Sequence, residues 1–269
     1  MTDLGKKNVL GVLVDAVDEY DRVVDRIIAA ARSRRAFTVS ALAVHGVMSG
    51  VSDSSLRYRI NHLDLVTPDG QPVRWALNLL YGARLSDRVY GPTLMLRVCE
   101  AAASEGLPIL LYGSTSEVLS KLATSLRRRF PSLCVAGMEP SRFRRTDRNE
   151  RGEIASRIES SGARIVLVGL GCPRQEAFAH AYREALAMPV VAVGAAFDYH
   201  AGLLREPPPA IQRAGLQWLY RLLEEPGRLW KRYLLLNPKY LGLLTLQAIG
   251  LWRPDPNGAK PPAEELIWG

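Results

Sequence analysis

Short apolar runs that end directly on glycine, set between stretches of helical spacing, restrict this chain more than any other feature. The run 108–112 breaks at Gly113, 133–136 at Gly137, 165–168 at Gly169 and 190–193 at Gly194. Such runs, apolar throughout rather than alternating, suit strands covered on both faces, and a parallel sheet is the arrangement that buries both faces. Ligand loops in such sheets gather at the carboxyl ends of the strands, where these glycines stand. Val23, Val24, Ile27, Ile28 and Ala31 recur at helical spacing behind a cap expected at Asp18. Ser114 with Glu117 forms a capping-box pattern opening a helix that should end near Phe130. A strand is expected at 8–14, apolar runs continue the rhythm at 36–44 and 63–66, and helices are expected at 73–81 and 154–158. The fold class is therefore α/β: a Rossmann-like, mainly parallel sheet with helices on both faces.

At Glu206-Pro207-Pro208-Pro209 the rhythm stops, because consecutive prolines neither continue a helix nor pair in a central strand. This places a boundary between an α/β domain, 1–206, and a helical C-terminal appendage, 207–269. Helices are expected there at 211–223, from about 226, and over the apolar stretch 240–252. That stretch falls short of the roughly 20 helical residues that cross a bilayer, and suits lying on a membrane instead. Arg221, Arg228, Lys231, Arg232 and Lys239 are interleaved with Trp218, Tyr220, Trp230 and Tyr233. Basic and aromatic residues together fit an anionic lipid surface or a nucleic acid, and Glu224 and Glu225 leave open an ordinary solvated helix face.

Lys and Arg outnumber Asp and Glu by 35 to 27, for a net charge of +8. That balance favours anionic partners: nucleotide phosphates, nucleic acid or an acidic membrane surface. Cys99, Cys134 and Cys172, with no CxxC pair, argue against a disulfide framework and a structural zinc site, and for a reducing compartment. The polar N-terminus over 1–8 has no secretory pattern, so the protein is expected to stay on the cytoplasmic side, where it is made. His45, His62, His180 and His200 lack metal-ligand spacing. No metal and no cofactor are expected.

Several residues carry chemistry. Thr67-Pro68-Asp69-Gly70 sets a carboxylate in a tight turn after a strand, where it faces a cleft as a general base or simply makes an Asp-Gly turn. Gly169-Leu170-Gly171-Cys172-Pro173-Arg174-Gln175-Glu176 opens a strand into a helix start whose N–H groups suit a phosphate or a sugar hydroxyl. It is not a dinucleotide fingerprint, since Arg174 occupies the place of the third glycine. Arg88 either neutralises a diphosphate or is solvated, and Asp198 either accepts from a base or ribose or caps a turn.

The Thr67-to-Gly70 turn, Arg88-Val89-Tyr90-Gly91, the Gly169-to-Glu176 block and the block 194–202 together resemble, in order and spacing, the WecG/TagA/CpsF glycosyltransferases (family 26). Trp218-Leu219-Tyr220-Arg221-Leu222, followed by Glu225-Pro226 and Arg228, is similar to that family's C-terminal segment. The resemblance implies an inverting, metal-independent transfer from a UDP-sugar, often UDP-N-acetylmannosamine, to a polyprenyl-diphosphate-linked saccharide. It assigns Asp69 as the base that deprotonates the acceptor hydroxyl. Arg88 and Gln175 would hold the donor's diphosphate and sugar, and Asp198 would lie by the uracil. Thr38, Ser40, Gly113, Gly137, Gly169, Gly171 and Pro173 would complete the donor site. Arg221, Arg228 and Arg232 would reach the acceptor or the cytoplasmic membrane surface, to which the appendage brings the enzyme.

Thr38-Val39-Ser40 departs from the family's Thr-x-Asn, with serine shortening or removing an amide contact to the donor. The resemblance also implies self-association as a homo-oligomer, and no nucleic-acid partner. A nucleotide-sugar hydrolase or epimerase, and a nucleotide-binding membrane scaffold without turnover, are the competing expectations.

Overall fold

A computed structural model describes residues 5–259, 261–262 and 268–269, with the side chains of Pro209, Arg228, Lys231 and Arg232 outside the description. The chain opens with a hairpin, β1 (Lys6–Val9) and β2 (Val12–Asp15), where the sequence suggests one strand over 8–14. Leu10 and Gly11 form the turn, both at positive φ, which matches a tight hairpin connection but is unusual for leucine. Buried Leu10 is held there by its N–H, which donates to Gln247.

The main sheet has six parallel strands: β3 (Phe37–Leu42), β4 (Leu65–Pro68), β5 (Ile109–Gly113), β6 (Val135–Glu139), β7 (Ile165–Gly169) and β8 (Pro189–Ala192), in the order β4-β3-β8-β7-β5-β6. Alternate side chains serve opposite faces: Leu110, Tyr112, Val166 and Val168 enter one core, and Ile109, Leu111, Ile165 and Leu167 the other. This two-sided burial explains why the strands read as continuous apolar runs. Helices α1 (Tyr20–Arg32), α5 (Gly91–Ser104), α6 (Ser116–Arg129) and α9 (Ala196–His200) pack on the second face. Helices α2 (Val44–Ser52), α3 (Ser54–Asn61), α4 (Gln71–Tyr81), α7 (Arg148–Ser160) and α8 (Arg174–Tyr182) cover the first. The expected α/β architecture stands.

Three local expectations change. Asp18 does not cap α1, whose N-cap is Glu19; its carboxylate instead accepts from the N–H and hydroxyl of Ser86. Thr115, not Ser114, caps α6, accepting from Val118 N–H, while Glu117 is drawn to Lys121 one turn on. Gly137 lies inside β6 rather than at its exit; a methyl group there would sit 2.8 Å from Leu110, so the position is one of close strand packing.

Beyond the prolines, the helix expected over 211–223 is two, α10 (Pro209–Arg213) and α11 (Gln217–Glu224), separated around Gly215 at φ 72°. Then come α12 (Pro226–Lys231), a π-helical turn (Arg232–Leu236) and α13 (Asn237–Ala248). Tyr240 and Leu244 of α13 are buried in the first core, the Tyr240 hydroxyl donates to the Pro72 carbonyl, and Gln247 bonds both Asn8 and Leu10 of the hairpin. Among the described residues no helix is long and apolar enough to cross a membrane.

Candidate active site

A cavity of about 180 Å³ opens at the carboxyl ends of three adjacent strands, β4, β3 and β8. Ala43 follows β3, Asp69 and Gly70 follow β4, and Val193 and Ala195 follow β8; all five line it. Arg88 and Tyr90 enter from the loop before α5, and Gln217, Trp218, Arg221 and Tyr233 close it from the C-terminal helices.

The backbone fixes Asp69 at both ends. Its N–H donates to the Leu42 carbonyl, extending the β3–β4 ladder by one residue, and Gly70 caps α4 immediately after. Its Oδ1 accepts from the N–H of Gly91, the first residue of α5, at 2.6 Å. The carboxylate thus stands at the positive end of a 14-residue helix, where a negative charge is favoured. Gly91 permits this approach, since a methyl group there would press on the Val193 carbonyl at 3.2 Å and on Ala41 at 3.3 Å.

Enclosure by protein raises the Asp69 pKa above the ordinary carboxylate value, while Arg88, the Gly91 N–H and Arg221 oppose the rise. A partly exposed carboxylate whose pKa is raised by its surroundings is a stronger proton acceptor than a fully solvated one, provided nearby cations keep it ionised at working pH. Oδ2 makes no hydrogen bond among the described residues and is the oxygen left to take a proton.

The two arginines differ in support. Arg88 is only 5% exposed, which removes the solvated alternative; its guanidinium lies 4.3 Å from the centre of the Tyr90 ring and donates to Gln212 of α10 at 3.2 Å. Arg221 of α11 sits 5.7 Å from the Tyr199 ring centre and donates to Glu225. The Tyr90 hydroxyl accepts from Gln217 at 2.6 Å, so the loop carrying Arg88 is bonded to the C-terminal helices twice. Burial pushes the hydroxyls of Tyr90 and Tyr199 upward, keeping both neutral beside the arginines. One carboxylate, two cations and several aromatic rings around one cavity can hold an anionic ligand while accepting a proton from a neighbouring hydroxyl.

The remaining expected residues fall in three places. Gln175 and Ser40 do not line the cavity, and both donate to Glu176. The Gln175 carboxamide packs on Gly194, 3.2 Å from where a methyl group would stand, and Gly194 lies between the lining residues Val193 and Ala195. Gly113 and Gly169 do not border the cavity. A methyl group on Gly113 would lie 2.8 Å from the Gly169 carbonyl, and one on Gly169 would lie 2.5 Å from the Phe197 ring, so both serve strand and helix packing. Gly171 and Pro173 lie in the loop between β7 and α8, and Asp198 is half-buried on α9; none of these lines the cavity.

Thr38 is not brought to the site at all. It stands near the amino end of β3, where its hydroxyl and N–H both bond the Asp64 carboxylate. Arg221 lines the cavity, whereas the side chains of Arg228 and Arg232 lie outside the described residues. Tyr199, Gln217 and Tyr233 carry no sequence signal as site residues: Tyr199 enters on α9 after β8, and Gln217 and Tyr233 enter on the C-terminal helices that fold back over the cavity. Gln71, also a lining residue, donates to Asp87, the residue before Arg88. Among the described residues no group of three His, Cys, Asp or Glu side chains is arranged to hold a metal ion.

The parallel sheet and a cation-flanked carboxylate at its carboxyl edge define an α/β protein with a site that can hold an anionic ligand. The chain belongs to the glycosyl transferase WecG/TagA/CpsF family, whose model matches residues 7–254, and is a glycosyltransferase. Over 183 residues it is 31% identical to the N-acetylglucosaminyldiphosphoundecaprenol N-acetyl-beta-D-mannosaminyltransferase of Bacillus spizizenii, a match covering 68% of each chain.

Proposed function

We propose that this enzyme transfers a sugar, of the N-acetylmannosamine type or a hexose, from a UDP-sugar to a polyprenyl-diphosphate-linked saccharide, with inversion and without a metal ion. The observation that carries the reading is the convergence of Asp69, Arg88 and Arg221 on one cavity, with Asp69 pinned by the Gly91 N–H. The name of the Bacillus relative describes a transfer of the same kind.

In a single displacement the acceptor oxygen attacks the anomeric carbon on the face opposite the diphosphate. As that C–O bond forms, Asp69 Oδ2 takes the hydroxyl proton, the bond from the anomeric carbon to the β-phosphate oxygen breaks, and UDP leaves with the electron pair. Arg88 offers paired N–H donors to the diphosphate, doing by fixed charge what a divalent ion does elsewhere. Arg221 adds a second cation, and its position on α11 ties the C-terminal helices to the chemistry.

The boundary at 206/207 then separates the donor-binding sheet from helices that complete the site and rest on the cytoplasmic membrane surface. Leu223, Leu234, Leu235 and Leu251 are each more than half exposed, which supports an apolar contact with lipid. Deleting 207–269 would also strip Tyr240 and Leu244 from the core, so aspartate at Leu223, Leu235 and Leu251 is the cleaner test. The triple variant should fail to sediment with anionic liposomes, and full sedimentation would remove the membrane role from these residues.

The function itself is tested by incubating the protein with UDP-sugars and a lipid-diphosphate acceptor. Release of UDP that depends on acceptor is the expected result; equal release without acceptor would mean hydrolysis.

A further inference from the structure

Behind the cavity floor lies a second carboxyl that the reaction above does not use. Glu176 is fully buried on α8, and its Oε1 accepts twice, from the Ser40 hydroxyl of β3 at 3.0 Å and from the Gln175 side-chain N–H at 3.0 Å. Gln175, 3% exposed, therefore has its amide nitrogen committed inward. Its Oε1 has no hydrogen-bond partner among the described residues. An amide oxygen buried without a partner costs free energy of about 1–3 kcal/mol, and native structures seldom keep one without a use. This oxygen lies against Gly194, at the β8 exit that borders the cavity.

We propose that Glu176, itself held by Ser40, is a positioning residue that fixes the Gln175 carboxamide with its oxygen toward the ligand. Gln175 then presents a hydrogen-bond acceptor, and the group it takes is an O–H or N–H of the bound donor. A carboxamide offers either face to a ligand, so without a partner on one side it has no preferred sense. Two donors converging on one carboxyl oxygen supply that preference.

Ser40 acquires a role distinct from the donor contact expected of it: it braces the brace. Burial pushes the Glu176 carboxyl toward its neutral form, with the hydrogen bonds of Gln175 and Ser40 opposing, so a neutral amide of the same shape is a fair mimic. The identity of the donor rests on the proposed UDP-sugar reading, but the orientation of Gln175 does not.

Two measurements separate these. In the ligand-free protein, 15N-edited NMR of the Gln175 side chain should show amide protons slowed in exchange in the wild type and in Glu176→Gln, and fast exchange in Glu176→Leu. Ser40→Ala, the gentler change, should be intermediate. Equal protection in all four would overturn the proposal whatever the ligand is.

With UDP-sugar as probe, Glu176→Leu should raise the donor KM roughly tenfold, the scale of one lost hydrogen bond to a ligand, with a smaller change in kcat and an unchanged Kd for UDP alone. Glu176→Gln should restore most of that loss. A fall in Tm with donor KM unmoved would make Glu176 a packing residue only. Damage by Glu176→Gln equal to that by Glu176→Leu would also refute the orienting role. If the wild type binds no UDP-sugar, the functional reading fails, and the exchange experiment still decides the orientation.

Discussion

Strand exits that read alike in sequence, on a glycine, differ in space between the two halves of the sheet. At β4, β3 and β8 the connections part and leave a cavity; at β7 and β5 the exits close on one another, with Gly113 against Gly169 and Gly169 against Phe197. A glycine at a strand exit therefore has two physical uses. It lets a loop turn around a ligand, or it lets backbone and ring approach where any side chain would collide. What marks the first half as the reacting one is charge. Asp69 has a helix terminus and two arginines facing it, whereas Glu176, buried on the helix that follows β7, accepts from the neutral side chains of Ser40 and Gln175.

The comparison can be broken at several points. The largest effect is expected from Asp69→Asn: turnover should drop about 10²-fold or more, the usual scale for loss of a general base, with UDP binding kept. Full activity in that variant would remove Asp69 from the mechanism. Arg88→Ala should weaken UDP binding about tenfold or more, as a charge-assisted hydrogen bond is lost, and an unchanged dissociation constant by titration calorimetry would count against its phosphate role.

In the other half, Gly169→Ala should act on stability. The added methyl group overpacks Phe197 and costs about 1–3 kcal/mol, read as a lower midpoint in urea. A variant as stable as the wild type would show that the exit has room to spare. The smallest effect belongs to Asp69→Asn again, now in Tm. A carboxyl whose folded pKa is raised holds its proton more tightly folded than unfolded, so its ionised form costs stability once pH exceeds the unfolded value. Removing that charge at neutral pH should leave Tm equal or slightly higher, and a marked fall would mean that the arginines, not burial, dominate its surroundings.

The sheet was legible because its strands are buried on both faces, which leaves continuous apolar runs in the chain. Asp69 and Arg88 were legible as types in a turn and a loop, though only the geometry decides that Arg88 is buried against Tyr90 rather than solvated. Other features depend on distant chain segments. Thr38 shares its strand with Ser40 but meets Asp64 at the opposite edge of the sheet, a difference that strand direction settles and local spacing does not. Gln217 and Tyr233 join the cavity through the return of α11 and the π-helical turn, which no periodicity announces, and meet Tyr199, which α9 carries in after β8. The caps of α1 and α6 stand one residue beyond the polar residue that the pattern favours, because several polar residues compete at each start.

The claim at the centre of this account is that Asp69 works as an ionised base whose charge Arg221 and Arg88 help to maintain. The pH dependence of kcat/KM for acceptor-dependent UDP release, compared between wild type and Arg221→Ala, tests it most directly. Activity should fall as pH drops through a carboxyl pKa above the ordinary range, and removing the opposing cation should carry that fall to higher pH. An acid limb that stays in place without Arg221, or a profile flat through the carboxyl range, would contradict it.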